Sequence, residues 1–337
     1  MDGQFLSKQA SKQARISYID LFRAIGIILM IMGHIGFGKM FDHWIHAFHM
    51  PMFFFASGYF FKPCISNHDF HVRIKSRCKT LLLPYVVFSV IRWCINYYTG
   101  AYDYSFFRVF IFNTSGGAGA VWFLTALFIA DIIYSFLDWK LSYGLKLHAM
   151  IIGLAISGNL FPLILSCRPP LGIDSALVGI GFIHLARVIR IEERINWLYE
   201  LRVFVSCAMV IISSILIFIN GYVNLRLGKY GIIPLFWINS ILTIIGGWNL
   251  CRITGSNVKF STDRIYNYLT TIGQDSIIYL CLNQLVIYAV YEFLSILNAS
   301  SLISKILMFF IVMLLLDIFR RVFLGSELRI FIGKWLL

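Results

Sequence analysis

Apolar residues occur along this chain in long runs, which short polar and charged segments separate at fairly regular intervals. A helix that crosses a bilayer needs about 20 consecutive, mostly apolar residues, and the runs have that length. The pattern therefore predicts about ten transmembrane helices. Their approximate bounds are 17–38, 44–61, 81–99, 119–137, 147–166, 171–189, 203–220, 230–250, 270–297 and 301–319.

The composition agrees with this pattern. Apolar residues make up 59% of the 337 and charged residues 13%, with a mean hydropathy of +0.78. A soluble domain has about 25% charged residues, so we expect an all-α integral membrane protein. Residues 1–337 are expected to form a single multi-pass domain. Its polar tails, at 1–16 and 320–337, are expected to be cytoplasmic. Neither a cleavable signal peptide nor an attached soluble domain is expected.

The net charge of +13 is distributed unevenly between the apolar runs. If the N-terminus is cytoplasmic, 21 of the Lys and Arg residues lie on the cytoplasmic side and 6 on the other. This bias predicts ten spans with both termini in the cytoplasm, so the charge reflects topology rather than nucleic-acid binding. The seven cysteines are scattered without a CxxC motif, which predicts neither disulfides nor a thiolate metal site.

The first run carries Asp20, Arg23 and His34, and ionisable groups at membrane depth usually mark function. Eleven residues separate Arg23 from His34, which returns the helix to within about 20° of the same face and about 16 Å further along its axis. We expect the two side chains to line one groove at two depths, with Arg23 nearer the cytoplasm. The alternative is an interfacial Asp20–Arg23 pair beside a core histidine.

The second run begins WIHAFHMPMFFFASGY. The short connection 39–43 makes the first two helices antiparallel neighbours, so His49 is expected at the depth of His34. Pro51 is expected to break or kink this helix, and Ser57 with the glycine after it to permit close helix packing.

His34, His46 and His49 together allow a zinc site as an alternative, because His-x-x-His is a possible ligand spacing on a helix. No cysteine or convincing acidic ligand completes such a set. We therefore expect no metal.

The segment RISYIDLFRAIGIILMIMGH, followed by FHMPMFFFASGY, resembles the membrane acyltransferase 3 family. It is especially similar to the branch of fucose 4-O-acetylases and of nodulation and O-antigen O-acetyltransferases. Further resemblances lie in RCKTLLLPY at 77–85, VWFLTALF at 121–128 and IGQDSIIYL at 272–280.

This resemblance implies transfer of acetyl from acetyl-CoA to a sugar hydroxyl, with His34 as the catalytic histidine and Arg23 as its paired residue. The chain departs from the family in two places. The family's basic motif often has two arginines three apart, whereas Arg77 is followed here by Thr80. The late segment usually ends in His, where this chain has Asn283.

The chemistry of the residues agrees with this function. Histidine is a suitable general base for a sugar hydroxyl, which is a poor nucleophile by itself. Lys75, Arg77 and Lys79 lie in an expected cytoplasmic loop, 62–80, where they could clamp the phosphates of acetyl-CoA. The positive-inside bias explains the same charges without a ligand.

Two acidic residues inside other runs, Asp131 and Glu292, are candidates to hold His34 in the required tautomer from another helix. Asp317 is expected to pair with the arginines that follow it. Trp122 and Phe123 could form a sugar-stacking wall, but interfacial anchoring is favoured for aromatic residues at this place.

The sequence therefore predicts a bacterial inner-membrane O-acetyltransferase for a surface polysaccharide such as O-antigen, capsule or exopolysaccharide, or for its lipid-linked precursor. Acetyl-CoA is the expected donor and no bound cofactor is expected; the partners are the glycan acceptor and the lipid bilayer, not nucleic acid. His34 as an acyl carrier remains open. The alternatives are a transporter or flippase for a sugar-bearing lipid and, last, a non-catalytic scaffold.

Overall fold

The computed structural model describes residues 2–100, 109–115, 119–165, 168–257, 263–295 and 302–334, with side chains from residue 17 onward except at 115, 193, 194 and 295. The ends of several predicted runs and the last three residues of the chain lie outside these ranges. The helices are α1 Asp2–Ile35, α2 Lys39–His46, α3 His49–Tyr59, α4 Asn67–Arg77, α5 Leu83–Thr99, α6 Trp122–Leu141, α7 Leu145–Ile164, α8 Ile173–Ile191, α9 Val203–Asn220, α10 Ile233–Ser256, α11 Arg264–Gln274, α12 Ser276–Ser295 and α13 Leu302–Gly325.

The described residues confirm the predicted all-α membrane class. Nine of their helical segments are long and apolar enough to cross a bilayer. The β-structure within the described ranges is a single antiparallel bridge between Asn224 and Lys229. The difference from ten spans lies in the second predicted run, which is divided between α2 and α3.

The division of the second run falls at Ala47 and Phe48, just before His49. Pro51 then occupies the first turn of α3. Backbone N–H groups in a first turn have no partner within the helix, so proline is tolerated there but would disrupt a continuous helix. The predicted break is therefore present, one turn before the proline.

The segment 62–80, expected as a loop, is largely helical, and this expectation was wrong. Ser66 and Asp69 form a capping box at the start of α4, each side chain accepting a hydrogen bond from the other's backbone N–H. Five residues of π-helix, Cys78–Leu82, then join α4 to α5. The capping box starts this helix in polar sequence, so a search for apolar runs does not detect the helix.

Helix α1 is the centre of the bundle and packs against α3, α10, α11, α12 and α13. Two glycines permit especially close crossings near it. A Cβ added at Gly273 of α11 would overlap the carbonyl of Asp20, and one at Gly58 of α3 would overlap the carbonyl of Ile183 on α8. In the absence of a hydrophobic driving force within lipid, such close approach is a main source of helix association.

Candidate active site

Two cavities lie along α1, α3, α6 and α12, one toward each end of these helices. The histidine cavity, of about 240 Å³, is lined by residues that include His34, Asp42, His46, His49, Tyr222 and Gln284. The arginine cavity, of about 180 Å³, is lined by residues that include Arg23, Phe53, Ser57, Arg77, Phe123 and Ser276.

The two cavities are stacked on the same helices rather than placed on separate faces. On α1 the lining changes from Ile27 to Gly33, and on α12 from Leu280 to Gln284. These steps correspond to about 9 and 6 Å of helical rise. Instead of the one groove expected from the sequence, the structure has two cavities on one axis, with Arg23 at one and His34 at the other.

His34 is exposed to the histidine cavity and has a partner on α12. The side-chain amide nitrogen of Gln284 lies 3.4 Å from Nδ1 of His34. The amide oxygen of Gln284 accepts hydrogen bonds from Arg92, at 2.5 Å, and from the backbone N–H of Ala120, at 3.0 Å. Two donors on the oxygen fix the orientation of the amide, so its nitrogen must be the atom that faces His34.

A second imidazole in the same cavity has the opposite arrangement. Nδ1 of His46 lies 2.8 Å from the backbone oxygen of Asp42 and 3.2 Å from its carboxylate. The hydroxyl of Tyr222 donates a hydrogen bond of 2.9 Å to the other carboxylate oxygen of Asp42. Burial, with Asp42 as a further cause, raises the pKa of Tyr222 and keeps it a donor.

His49 is buried beside His46, with 5% of its surface exposed, and its ring stands nearly perpendicular to that of His46 at 4.9 Å. Its Nδ1 donates a 2.8 Å hydrogen bond to the carbonyl of Ile45. His34 and His49 therefore line one cavity, as two antiparallel helices would bring them together, and His49 forms part of its wall.

In the arginine cavity, Arg23 contacts three groups at once. Its guanidinium lies 3.6 Å from the carboxylate of Asp20, donates a 3.3 Å hydrogen bond to the carbonyl of Ala56, and lies 4.8 Å from the ring centre of Phe60. The interfacial Asp20–Arg23 pair is thus present, and Arg23 also lines a cavity with Ser57.

Asp131 does not orient His34, so that expectation is corrected. Its buried carboxylate accepts hydrogen bonds of 2.9 and 3.2 Å from Arg73 and two of 3.0 Å from Arg77. Arg77 accordingly lines the arginine cavity with its guanidinium bonded to Asp131, and its contact with a phosphate stays a prediction. Lys75 and Lys79 are both exposed.

Two residues of α12 also differ from expectation. Glu292 is exposed and lies eight residues beyond Gln284, about 12 Å of helical rise, so it does not hold His34. Asn283 is fully buried and donates to the carbonyls of Tyr279 and Leu280 in its own helix. Its neighbour Gln284 is the side chain that reaches the cavity.

The aromatic pair is divided between the two cavities. Trp122 lines the histidine cavity and Phe123 the arginine cavity, and each is 3% exposed. Interfacial anchoring was therefore the wrong interpretation, since both rings belong to the core. On α13, Asp317 accepts hydrogen bonds of 2.9 Å from Arg320 and Arg321, as predicted.

No three His, Cys, Asp or Glu side chains within the described ranges converge as a metal-ligand group. His46 and His49 each use Nδ1 on a carbonyl of their own helical turn, which leaves the two Nε2 atoms as free ring nitrogens. Each free Nε2 lone pair can accept a proton.

Sequence reasoning missed Gln284, Arg92, and the Asp42–His46–Tyr222 group. Arg92 was visible as an arginine within a predicted span, and Asp42 with His46 as an i,i+4 pair. The hydrogen bond between Gln284 and His34 joins residues 250 apart, so no local pattern encodes it.

Comparison with known proteins gives a family for this site. Residues 16–318 match the profile described as the acyltransferase domain of the acyltransferase 3 family. Neither the comparison with curated proteins nor that with solved structures gave a match. The matched region contains α2 to α12, both cavities and the part of α1 that lines them, and the chain belongs to the acyltransferase 3 family of membrane acyltransferases.

Proposed function

We propose that this protein is a bacterial inner-membrane O-acetyltransferase. It moves acetyl from acetyl-CoA to a sugar hydroxyl of a surface polysaccharide or of its lipid-linked precursor. Family membership supplies acyl transfer in a membrane, and the resemblance of the first two helices to sugar O-acetyltransferases supports the finer assignment.

The observation that carries this proposal is the pair of stacked cavities on α1. Arg23 and His34 lie about 16 Å apart along the helix, each lining one cavity. Acetyl-CoA is a long donor, with phosphates at one end and a thioester at the other. Extended along the axis, it would place its charged end near Arg23 and Arg77 and its thioester at His34.

The charge of the arginine cavity suits this donor. Arg73 and Arg77 share one carboxylate, Asp131, so this group of three has a net charge of +1. Lys75 and Lys79 add exposed ammonium groups on the same helical segment. The phosphates would thus be attracted by the summed field of these residues, without a free arginine fork.

The histidine cavity suits the acceptor. Its wall combines Trp122 with the polar groups of Asp42, Tyr222 and Asn224, a mixture suited to a sugar with one apolar face and several hydroxyls. Imidazoles in the same cavity can assist attack of a hydroxyl on the thioester, a contribution of about 10²–10⁴-fold.

The test compares wild type with His34→Ala in cells that lack the gene. Membranes receive acetyl-CoA labelled in the acetyl group and the deacetylated surface polysaccharide of the deletion strain, and label in the glycan is measured. Loss of at least about 100-fold in the variant is expected. His71→Ala is the matched control, because His71 is exposed and lines neither cavity.

Undiminished label in His34→Ala at equal membrane level would remove His34 from the reaction. Absence of transfer by wild type to either the polysaccharide or the lipid-linked glycan fraction would overturn the proposed acceptor class.

A further inference from the structure

The histidine cavity contains two imidazoles whose hydrogen bonds require opposite tautomers. Nδ1 of His34 faces the amide nitrogen of Gln284, which can only donate, so a neutral His34 carries its proton on Nε2. Nδ1 of His46 faces two oxygens of Asp42, which can only accept, so a neutral His46 carries its proton on Nδ1 and a lone pair on Nε2.

This difference decides which ring can do which chemistry. A general base needs a free lone pair, and its other nitrogen should donate to a group that stabilises the cation formed. His46 meets both conditions, since the Asp42 carboxylate is 3.2 Å from its Nδ1 and is itself held by Tyr222. His34 meets neither, because a proton added to its Nδ1 would point at the amide hydrogens of Gln284.

We propose that His46, oriented by Asp42, is the general base for the acceptor hydroxyl, and that His34 donates a hydrogen bond from Nε2 to the acyl carbonyl oxygen. This assignment rests on the proposed acetyl transfer. The acceptor oxygen forms a bond to the acyl carbon while its proton passes to Nε2 of His46. The carbon–sulfur bond breaks, and the proton on His46 passes to the departing thiolate to give free CoA.

Accessibility supports this division. The side chain of His46 is 22% exposed, and that of His34 is exposed as well, so both rings can meet a substrate in the cavity. His49 has the same Nδ1 arrangement as His46 but is 5% exposed and has no carboxylate partner in the described contacts. It therefore serves as a wall for His46.

Gln284→Glu gives a test whose sign depends on the role of His34. The substitution keeps the shape of the side chain and its acceptor toward Arg92, but it replaces the donor facing His34 with an acceptor. Nδ1 of His34 then holds the proton, and Nε2 becomes a lone pair. We expect transfer of labelled acetyl to fall by at least tenfold, whereas activity would be retained or would rise if His34 were the base.

Substitution of each histidine by glutamine gives an independent second test. The glutamine amide can donate from about the position of Nε2 but cannot act as a base. His34→Gln is therefore expected to keep more than a tenth of wild-type activity, and His46→Gln to lose about 100-fold or more. His71→Gln is the control, because His71 makes the same i,i+4 bond to a backbone carbonyl on exposed α4.

The pH profile gives a readout that a structural role would not change. The groups that titrate or carry charge in and around the histidine cavity are His34, Asp42, His46, His49, Tyr222, Arg92 and Arg226. Wild type and His34→Gln are expected to lose activity at low pH as the base is protonated, whereas the residual activity of His46→Gln is expected to lack that limb.

Wild-type transfer combined with an active His46→Gln, or with an active Gln284→Glu, would overturn the assignment of roles and leave the proposed function intact. Absence of transfer by wild type would instead contradict the proposed function. The membrane level and melting temperature of each variant are compared with those of His71→Gln. Equal values show that a loss of activity is not caused by misfolding.

Discussion

The amide nitrogen of Gln284 lies 3.4 Å from Nδ1 of His34 and links the last third of the chain to the first helix. Arg92 of α5 and the backbone N–H of Ala120, just before α6, both donate to the oxygen of this amide and fix its orientation. The state of the histidine thus depends on a residue that no motif singles out.

This relationship predicts different outcomes for two neighbouring residues. Gln284→Ala removes the partner of His34 and is expected to lower acetyl transfer by about tenfold or more, as expected for loss of a positioning group worth about 1.4 kcal/mol or more. Asn283→Ala removes a side chain that bonds only within α12 among the described contacts, so we expect most activity to remain. Labelled acetyl transfer at equal membrane level measures both.

Equal losses in the two variants would show that the effect is one of helix packing. If Gln284→Asn, which keeps an amide, transferred acetyl at a rate within a few-fold of wild type, a specific amide contact would be supported.

Arg23→Lys is expected to lower kcat/KM for acetyl-CoA by about tenfold or more. Arginine bonds to Ala56 while it lies against Asp20 and Phe60, and a single ammonium cannot meet all three groups. A lost hydrogen bond to a charged group costs roughly 1.5–3 kcal/mol. Steady-state rates over a range of acetyl-CoA concentrations measure the effect.

The matched control is Arg321→Lys, in which a side chain that is 72% exposed keeps its charge beside Asp317. We expect wild-type kinetics from this variant. Full activity of Arg23→Lys would show that only charge is needed in the arginine cavity.

Asp131→Asn is expected to destabilise the protein by roughly 3–5 kcal/mol. It leaves Arg73 and Arg77, which are 13% and 29% exposed, without the carboxylate between them. The melting temperature in detergent measures this effect and is expected to be lower than that of wild type. Glu327→Gln is the control, because its side chain is 82% exposed and an exposed pair contributes at most about 1 kcal/mol.

If Asp131→Asn melted at the temperature of Glu327→Gln, the Asp131 group would not stabilise the fold. Its role would then lie in the charge of the arginine cavity alone.

Gly273→Ala is expected to lower both stability and activity, because its Cβ would overlap the backbone carbonyl of Asp20 and push α11 away from α1. Gly153→Ala is the control, since a Cβ at that helical position meets nothing within 4 Å. It is expected to be neutral or slightly stabilising, as alanine favours a helix by about 1 kcal/mol over glycine. Melting temperatures of the two purified variants test this difference, and equal values would contradict it.

The sequence was sufficient for features that depend on local pattern. Ten apolar runs predicted the all-α membrane class, and nine described helical segments fulfil the length and apolarity criterion. The break in the second run followed from Pro51, and the bonds of Asp317 to Arg320 and Arg321 followed from helical spacing. Each of these predictions needs only the geometry of one segment.

The partner of each buried charge depended on the tertiary structure. The sequence placed Asp131 in a span and suggested His34 as its partner, but the fold brings α4 beside α6 and satisfies that carboxylate with two arginines. Trp122 is likewise placed in the core by the packing of the helices around it. Helical periodicity indicates which face a residue occupies, whereas the neighbour on that face depends on how the helices pack.

By itself, the sequence determined the class of protein, the family resemblance and the face of α1 that carries Arg23 and His34. Only the tertiary structure decided that these residues line two stacked cavities, that Gln284 bonds to His34, and that Asp42 orients His46. The physical reason is one of range. Hydropathy and helical periodicity act within about 20 residues, whereas a hydrogen bond of about 3 Å requires contacts between distant segments to fix both of its partners.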